Sequence, residues 1–218
     1  MRARVDLFLA SSNPGKLGEF RALAATGRPG VAGALDVRPE IELLPGFDAM
    51  AAFEEDAPTF AENAAGKVLH YSRIGDGLVF ADDSGLVVPA LGGEPGVRSA
   101  RYAGIGATNA ERIAKLLGEL RGKKGVERAA YFVCALALAK RGRAMAVVTA
   151  RVDGEILESP RGNGGFGYDP VFYFPALKKT FAELLPEEKN RISHRGKAFG
   201  KMLASLGIPE GHGEFLMS

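Results

Sequence analysis

Apolar positions along this 218-residue chain follow two rhythms, and the points where one gives way to the other mark its elements. Continuous or every-other apolar runs read as strands over Val5–Ala10, Leu35–Leu44, Leu78–Ala81, Tyr131–Ala139, Ala144–Val152 and Val171–Phe174. Pro39 interrupts the second run, which marks an edge strand or a bend, because proline withholds a ladder donor. Elsewhere the spacing is helical. Lys16 to about Ala25 follows the loop Ser11–Gly15, and Thr59 with Glu62 forms a capping box opening a helix through about Arg73. Thr108 with Glu111 repeats that device ahead of Ile113–Leu120, and Ser193 caps a last helix running to about Leu206. Lys140–Arg143 is short enough to join its two flanking strands as an antiparallel hairpin. Helices dispersed among strands, with at least one hairpin, predict an α/β fold around a mixed sheet. Gly92–Gly96 and Gly162–Gly167 read as loops rather than linkers, so residues 1–218 are expected to form one domain, with two lobes flanking a cleft.

Composition narrows the classes. A hydrophobic share of 46% and a charged share of 25% are globular values and exclude a disordered chain. A net charge of +2 is too small to argue for nucleic acid or an acidic membrane surface. No segment approaches the roughly 20 apolar residues of a membrane span. Arg2 and Arg4 precede Val5–Ala10 in a faint likeness of a signal peptide, but the apolar stretch is short and carries Asp6, so a first strand is the better reading. A cytoplasmic protein is expected. The lone Cys134 lies in an apolar run, where a buried thiol is expected rather than a nucleophile, and it rules out an intrachain disulfide.

Candidate chemistry begins at Asp82-Asp83, which follow the apolar run Leu78–Ala81 and precede Ser84-Gly85, read as the turn that ends the strand. Alternation along a strand sends the two carboxylates to opposite sides unless the turn redirects one. Like charges there are costly unless a cation or donors compensate them, and Mg²⁺ is the usual partner where phosphates are also bound. A solvated Asp-Ser-Gly turn is the plainer alternative. Ser11–Lys16, between the first strand and first helix, offers backbone N–H groups, a helix dipole and an ammonium group, all suited to phosphate. It lacks the spacing of a Walker A loop, and a simple N-cap by Ser12 or Asn13 would also explain it. Glu54-Glu55-Asp56 either favours the coming helix dipole or supplies a metal ligand. In Gly164–Pro170 the glycines permit close approach to a planar ligand, Phe166 or Tyr168 can stack on it, and Asp169 can read its edge. The alternative is a glycine-rich hairpin over an aromatic plug. Lys189, His194 and Arg195 form a basic group near a helix start, suited to phosphates or base carbonyls if it is not merely surface charge.

Six motifs occur in order: Ser11–Lys16, Thr59–Ala64, Ala81–Leu86, Ser99–Gly104, Gly164–Pro170 and Ser193–Gly196. Together they resemble the inosine triphosphate pyrophosphatase family, the Ham1-like house-cleaning enzymes, over roughly Val5 to Leu206. The resemblance implies a long mixed sheet flooring a cleft between two lobes and a homodimer. It also implies Mg²⁺-dependent hydrolysis of ITP, dITP and XTP to monophosphate and pyrophosphate. Carried over, it implies that Ser11, Ser12, Asn13, Pro14, Gly15 and Lys16 hold the triphosphate. Asp83 would be catalytic carboxylate and metal ligand, and Ser84 would touch substrate. Phe166, Gly167, Tyr168 and Asp169 would surround the base, with Lys189, His194 and Arg195 on base or phosphates. Ala57-Pro58 departs from the family's run before Thr59, which leaves open whether Glu54 or Glu55 is the second metal ligand. The Ser-His-Arg-Gly and Gly-Phe-Gly-Tyr-Asp segments argue against the related Maf type. A nucleotide sensor without turnover is the rival from another class.

Overall fold

The computed structural model describes residues 4–25 and 38–207. Its strands are β1 (Arg4–Leu9), β2 (Arg38–Leu43), β3 (Leu78–Val87), β4 (Ala129–Lys140), β5 (Arg143–Ile156), β6 (Phe172–Phe174) and β7 (Lys179–Thr180). They form one open sheet in the order β2-β1-β3-β4-β5-β6-β7. β1 runs parallel to both β2 and β3, and every later pairing is antiparallel, so the sheet is mixed. β2 is the edge strand that Pro39 signalled; the expected extension over residues 35–37 lies outside the described residues. The helices are α1 (Pro14–Ala25), α2 (Phe60–Tyr71), α3 (Asn109–Glu119), α4 (Pro186–Ile192) and α5 (His194–Ser205).

Local chemistry explains most boundaries. Thr59 Oγ1 accepts from Glu62 N at 3.2 Å and donates to Glu62 Oε2 at 2.7 Å, opening α2. The Thr108 box is complete, since Glu111 Oε2 also accepts from Thr108 N at 2.7 Å. Ser193 Oγ accepts from Gly196 N at 3.0 Å and starts α5. The β4–β5 hairpin turns through Arg141 and Gly142, with φ of 50° and 70°, the two positive values a two-residue turn of matching twist requires.

β3 corrects the expected strand end. It continues through Asp82, Asp83, Ser84 and Gly85, which pair with Leu136, Ala135, Cys134 and Val133 of β4. The long β4 ladder overrides the Ser-Gly turn preference. Gly85 is required for another reason: a Cβ there would overlap Ser99 Oγ and Gly96 O, which pack directly against the strand.

Parity along β3 then decides the site. Val79 and Ala81 face α2, packing with Ala64, Val68 and Tyr71 and with Ala135, Ala137 and Ala139 of β4. Phe80 faces the opposite way, into Leu7, Leu9, Phe20, Phe199, Leu136 and Met202 under α1 and α5. Continuing the alternation, Asp83 emerges on the α2 side and Asp82 on the α1/α5 side. A third cluster, around Leu116, Phe132, Ile156, Phe172 and Phe181, forms the other lobe. Cys134 is fully buried in the second cluster, and burial pushes its thiol well above the usual range. Among the described residues no helix is long and apolar enough to cross a membrane.

Candidate active site

A cleft of about 970 Å³ opens beyond the carboxyl end of β1, between the lobes. On its α1/α5 side Asp82 is the joint of a buried ionic network. Lys16, in the first turn of α1, ion-pairs with Asp82. Arg195 Nε donates to Asp82 Oδ2 at 3.2 Å, its NH1 to Glu19 Oε2 at 3.0 Å and its NH2 to Ser84 Oγ at 2.7 Å. Ser84 Oγ in turn donates to Asp82 Oδ2 at 2.8 Å. Burial alone would raise the Asp82 carboxyl, but the charges of Lys16 and Arg195 overcome it and hold the group well below the carboxylate range. Asp82 is therefore an ionised anchor for two cations that line the cleft.

On the α2 side the balance is reversed. Burial and then the negative charge of Glu55 push the Asp83 carboxyl up to about 6, against the opposing effects of Asn63 and Lys67. Lys67 ion-pairs with Glu55 and donates to Asp82 O at 3.1 Å. The acidic loop is held from both flanks: Arg101 NH2 donates to Glu55 O at 2.6 Å, and Tyr71 Oη accepts from Phe53 N at 3.0 Å.

At the other end, Gly165 sits at φ 69° with no room for a side chain, because the Asp169 carboxylate lies against it. Asp169 Oδ2 accepts from Phe166 N at 2.7 Å and from Lys189 Nζ at 2.6 Å, which closes the glycine loop on itself. Phe166 remains 37% exposed in the cleft, with Lys189 Nζ 4.8 Å and Arg195 Cζ 5.1 Å from its ring centre.

The expected residues converge unevenly. Ser11, Ser12, Asn13, Gly15, Lys16, Glu55, Asp83, Ser84, Phe166, Gly167, Tyr168, Asp169, His194 and Arg195 line the cleft. Pro14 begins α1. Asn13 also caps that helix, its Oδ1 accepting from Gly15 N at 2.9 Å, so the plainer N-cap reading holds alongside the cleft position. Glu54 is exposed and outside the lining, which leaves Glu55 as the carboxylate this loop offers. Lys189 lies behind the loop, spent on Asp169 rather than facing the cleft. Tyr168 is 4% exposed and donates its hydroxyl to Ser99 O at 2.9 Å, so of the two aromatics Phe166 is the one presented. His194 is not a cation: burial, then Arg195 and Lys189, depress it well below the usual imidazole range, and its ring stacks on Phe132.

Lys67, Arg101 and Arg112 also line the cleft and Asn63 touches Asp83, although none was a candidate; Asn63 and Arg101 lie in two of the six motifs without having been given a role. A signal existed for two of them: Asn63 and Lys67 are four apart on the same stripe of α2 as Ala64, Val68 and Tyr71, so polar groups sit where a core-facing helix expects apolar ones. Asp83 and Glu55 together suit a hard cation. They are an oxygen-only pair whose mutual repulsion is only partly compensated, and Mg²⁺ takes one or two carboxylates and completes its shell with water and phosphate oxygens. Among the described residues no cluster of three or more His, Cys, Asp or Glu side chains gathers for a metal, and Asp83 and Glu55 are the residues of this cleft that could hold one.

Fold and cleft together define an α/β protein that presents cations and a carboxylate pair across one crevice. The sequence profile of the Ham1 family matches residues 7–205, and the chain belongs to that family. It is 53% identical over 197 residues to the dITP/XTP pyrophosphatase of Geobacillus kaustophilus, covering 90% of this chain and 92% of that one. Identity to the dITP/XTP pyrophosphatase of Gloeobacter violaceus is 50% over 199 residues, covering 91% and 92%. The solved Ham1 protein of Staphylococcus aureus superposes with a TM-score of 0.78 at 36% identity, covering 93% of this chain and 98% of that one.

Proposed function

We propose that this protein hydrolyses the triphosphates of non-standard purines, ITP, dITP and XTP, to monophosphate and pyrophosphate, with Mg²⁺ as cofactor. One observation carries the reading: Asp82 joins Lys16 and Arg195 on one wall, and the next residue, Asp83, meets Glu55 on the other. That arrangement suits a polyanion held by cations along one side and attacked from the other. Membership of the Ham1 family supports the same chemistry. Asp83 and Glu55 would hold Mg²⁺, which when bound neutralises phosphate charge and favours attack at phosphorus. Asp83, buried beside Glu55 on the cleft wall, takes the proton of the attacking water at the α-phosphorus. Lys16 and the α1 N-terminus hold the charge that develops on the departing pyrophosphate. Phe166 offers its face to the purine, and Arg195 stands beside it as a donor toward the base. The reading places the enzyme's work in the cytoplasmic nucleotide pool. We further propose a homodimer, which sedimentation of the purified chain tests.

A 6-keto oxygen accepts where the amino group of adenine donates, so adenine would leave buried donors unpaired, at about 1–3 kcal/mol for each. Guanine carries the same 6-keto group, so its rejection needs a second device, a clash or an unpaired contact at its 2-amino group. With both devices ITP and XTP are expected to show kcat/KM at least about 10²-fold above ATP and GTP in a pyrophosphate-release assay. Equal values for ATP and ITP would defeat the house-cleaning reading, and no release from any base would favour a sensor. Lys16→Ala is expected to raise KM for every triphosphate, by about 10-fold or more, with base order kept. An unchanged KM with altered base order would move Lys16 to the base end.

A further inference from the structure

Asn63 belongs to the Thr59–Ala64 run, yet the proposed chemistry gives it no task. It is 0% exposed, on the sheet-facing stripe of α2. Its amide makes a two-way bond with the backbone of one loop residue: Oδ1 accepts from Ala57 N at 3.0 Å, and Nδ2 donates to Ala57 O at 3.3 Å. The other Nδ2 hydrogen goes to Asp83 Oδ2 at 3.0 Å. The Ala57 N–H dictates which end of the amide is oxygen, so the donor end must face Asp83. No other side chain of this size does both jobs. Aspartate would set an oxygen against the Asp83 carboxylate, and alanine would leave the Ala57 peptide without either partner. Ala57 stands two residues after Glu55, so one buried amide ties the loop of the second carboxylate to the first.

We propose that Asn63 is a positioning residue for the carboxylate pair: it pins one oxygen of Asp83, leaves the other to water or a cation, and sets the spacing between Asp83 and the Glu55 loop. The proposal rests on the reading of Asp83 and Glu55 as the reacting and cation-holding groups. A carboxylate held by one oxygen presents the other in a single direction, whereas an unpinned one samples several. Lys67, one turn further along α2, bonds the same loop at Glu55, so the helix grips the loop at two points.

The test uses Asn63→Ala and Asn63→Asp in the full chain, with three readouts. These are kcat and KM for ITP, the dissociation constant of Mg²⁺ measured by calorimetry without nucleotide, and the melting temperature. Loss of a group that orients a ligand typically costs about 10–100-fold, so Asn63→Ala should lower kcat and weaken Mg²⁺ by about that factor, with KM within about threefold. Asn63→Asp, which keeps shape and the Ala57 N–H contact but loses the donor, should fall as far or further. A merely structural asparagine would lower the melting temperature while kcat per folded molecule and the Mg²⁺ constant stayed at wild-type values, and that result overturns the proposal. If neither variant folds, the unaltered protein decides: the side-chain amide resonances of Asn63 should move when Mg²⁺ is added, and unmoved resonances reject the role. Wild-type protein that released no pyrophosphate would sink the proposed function, while the Mg²⁺ and resonance measurements would still judge Asn63 separately.

Discussion

Asp83→Asn is expected to lower kcat by about 10²–10⁴-fold, the usual contribution of a positioned base, while the protein folds and melts at a higher temperature than wild type in metal-free buffer. Both effects have one origin. The carboxyl rises from 3.8 to about 6 on folding, so the folded state binds its proton more tightly than the unfolded one. The sign follows: stability falls as pH rises from about 4 through about 6, and the whole cost is present above that. At neutral pH the charge therefore opposes folding by an amount on the order of 1–3 kcal/mol. Asparagine removes the charge and still accepts from Asn63. The gain corresponds to roughly 2–12 °C for a chain of this size. Mg²⁺ should raise the melting temperature of the wild type and leave that of the variant unmoved. A near-wild-type rate would remove Asp83 from catalysis; a lower melting temperature for the variant would mean that its charge is already compensated.

The opposed faces of the two aspartates were legible from alternation alone, and so were the caps at Thr59, Thr108 and Ser193 and the hairpin through Arg141-Gly142. Each is local chemistry, in which a residue and its near neighbours dictate the outcome. The continuation of β3 was not legible, because Ser84-Gly85 carries a turn signal that the β4 ladder outweighs from 50 residues away, at Cys134 opposite Ser84. The partnership of Asp82 was hidden for the same reason: Arg195 is 113 positions on, and nothing near Asp82 announces it. Lys189, His194 and Arg195, read as one basic group, are set apart by tertiary context. Lys189 is spent on Asp169, His194 is desolvated to neutrality, and only Arg195 brings a cation to the cleft. The choice between Phe166 and Tyr168 likewise needed the third dimension, since it turns on a hydroxyl meeting Ser99 O.

Asp82→Asn should do the opposite of the same change one residue later. Its side chain is fully buried, with Lys16 on one oxygen and Arg195 and Ser84 on the other. Asparagine removes the charge and must turn an NH₂ toward one of those donors. Removing one partner of a buried ion pair costs about 3–5 kcal/mol, because the remaining charges stay behind uncompensated. Two features place the expected cost toward the lower end of that range. Arg195 keeps Glu19 at 3.0 Å, and Lys16, with 17% of its side chain exposed, can turn toward the cleft. At about 2–4 °C per kcal/mol, the melting temperature should fall by roughly 6–12 °C or more at neutral pH. The pH signature differs too. A carboxyl depressed on folding contributes stability that is complete above its unfolded value of 3.8 and is lost as pH falls below it. The gap between wild type and Asp82→Asn should therefore close on acidification, while the gap for Asp83→Asn closes between about pH 6 and pH 4 with the opposite sign. In turnover, Asp82→Asn should act mainly on KM and on base preference, since it loosens Lys16, the proposed phosphate contact, and the Arg195 that stands beside Phe166. Thermal melts of the two variants across pH 3–8 decide the matter. An Asp82→Asn protein melting within about 1 °C of wild type at neutral pH would mean that the buried network contributes no net stability, and that its carboxylate is replaceable by a neutral group of the same shape.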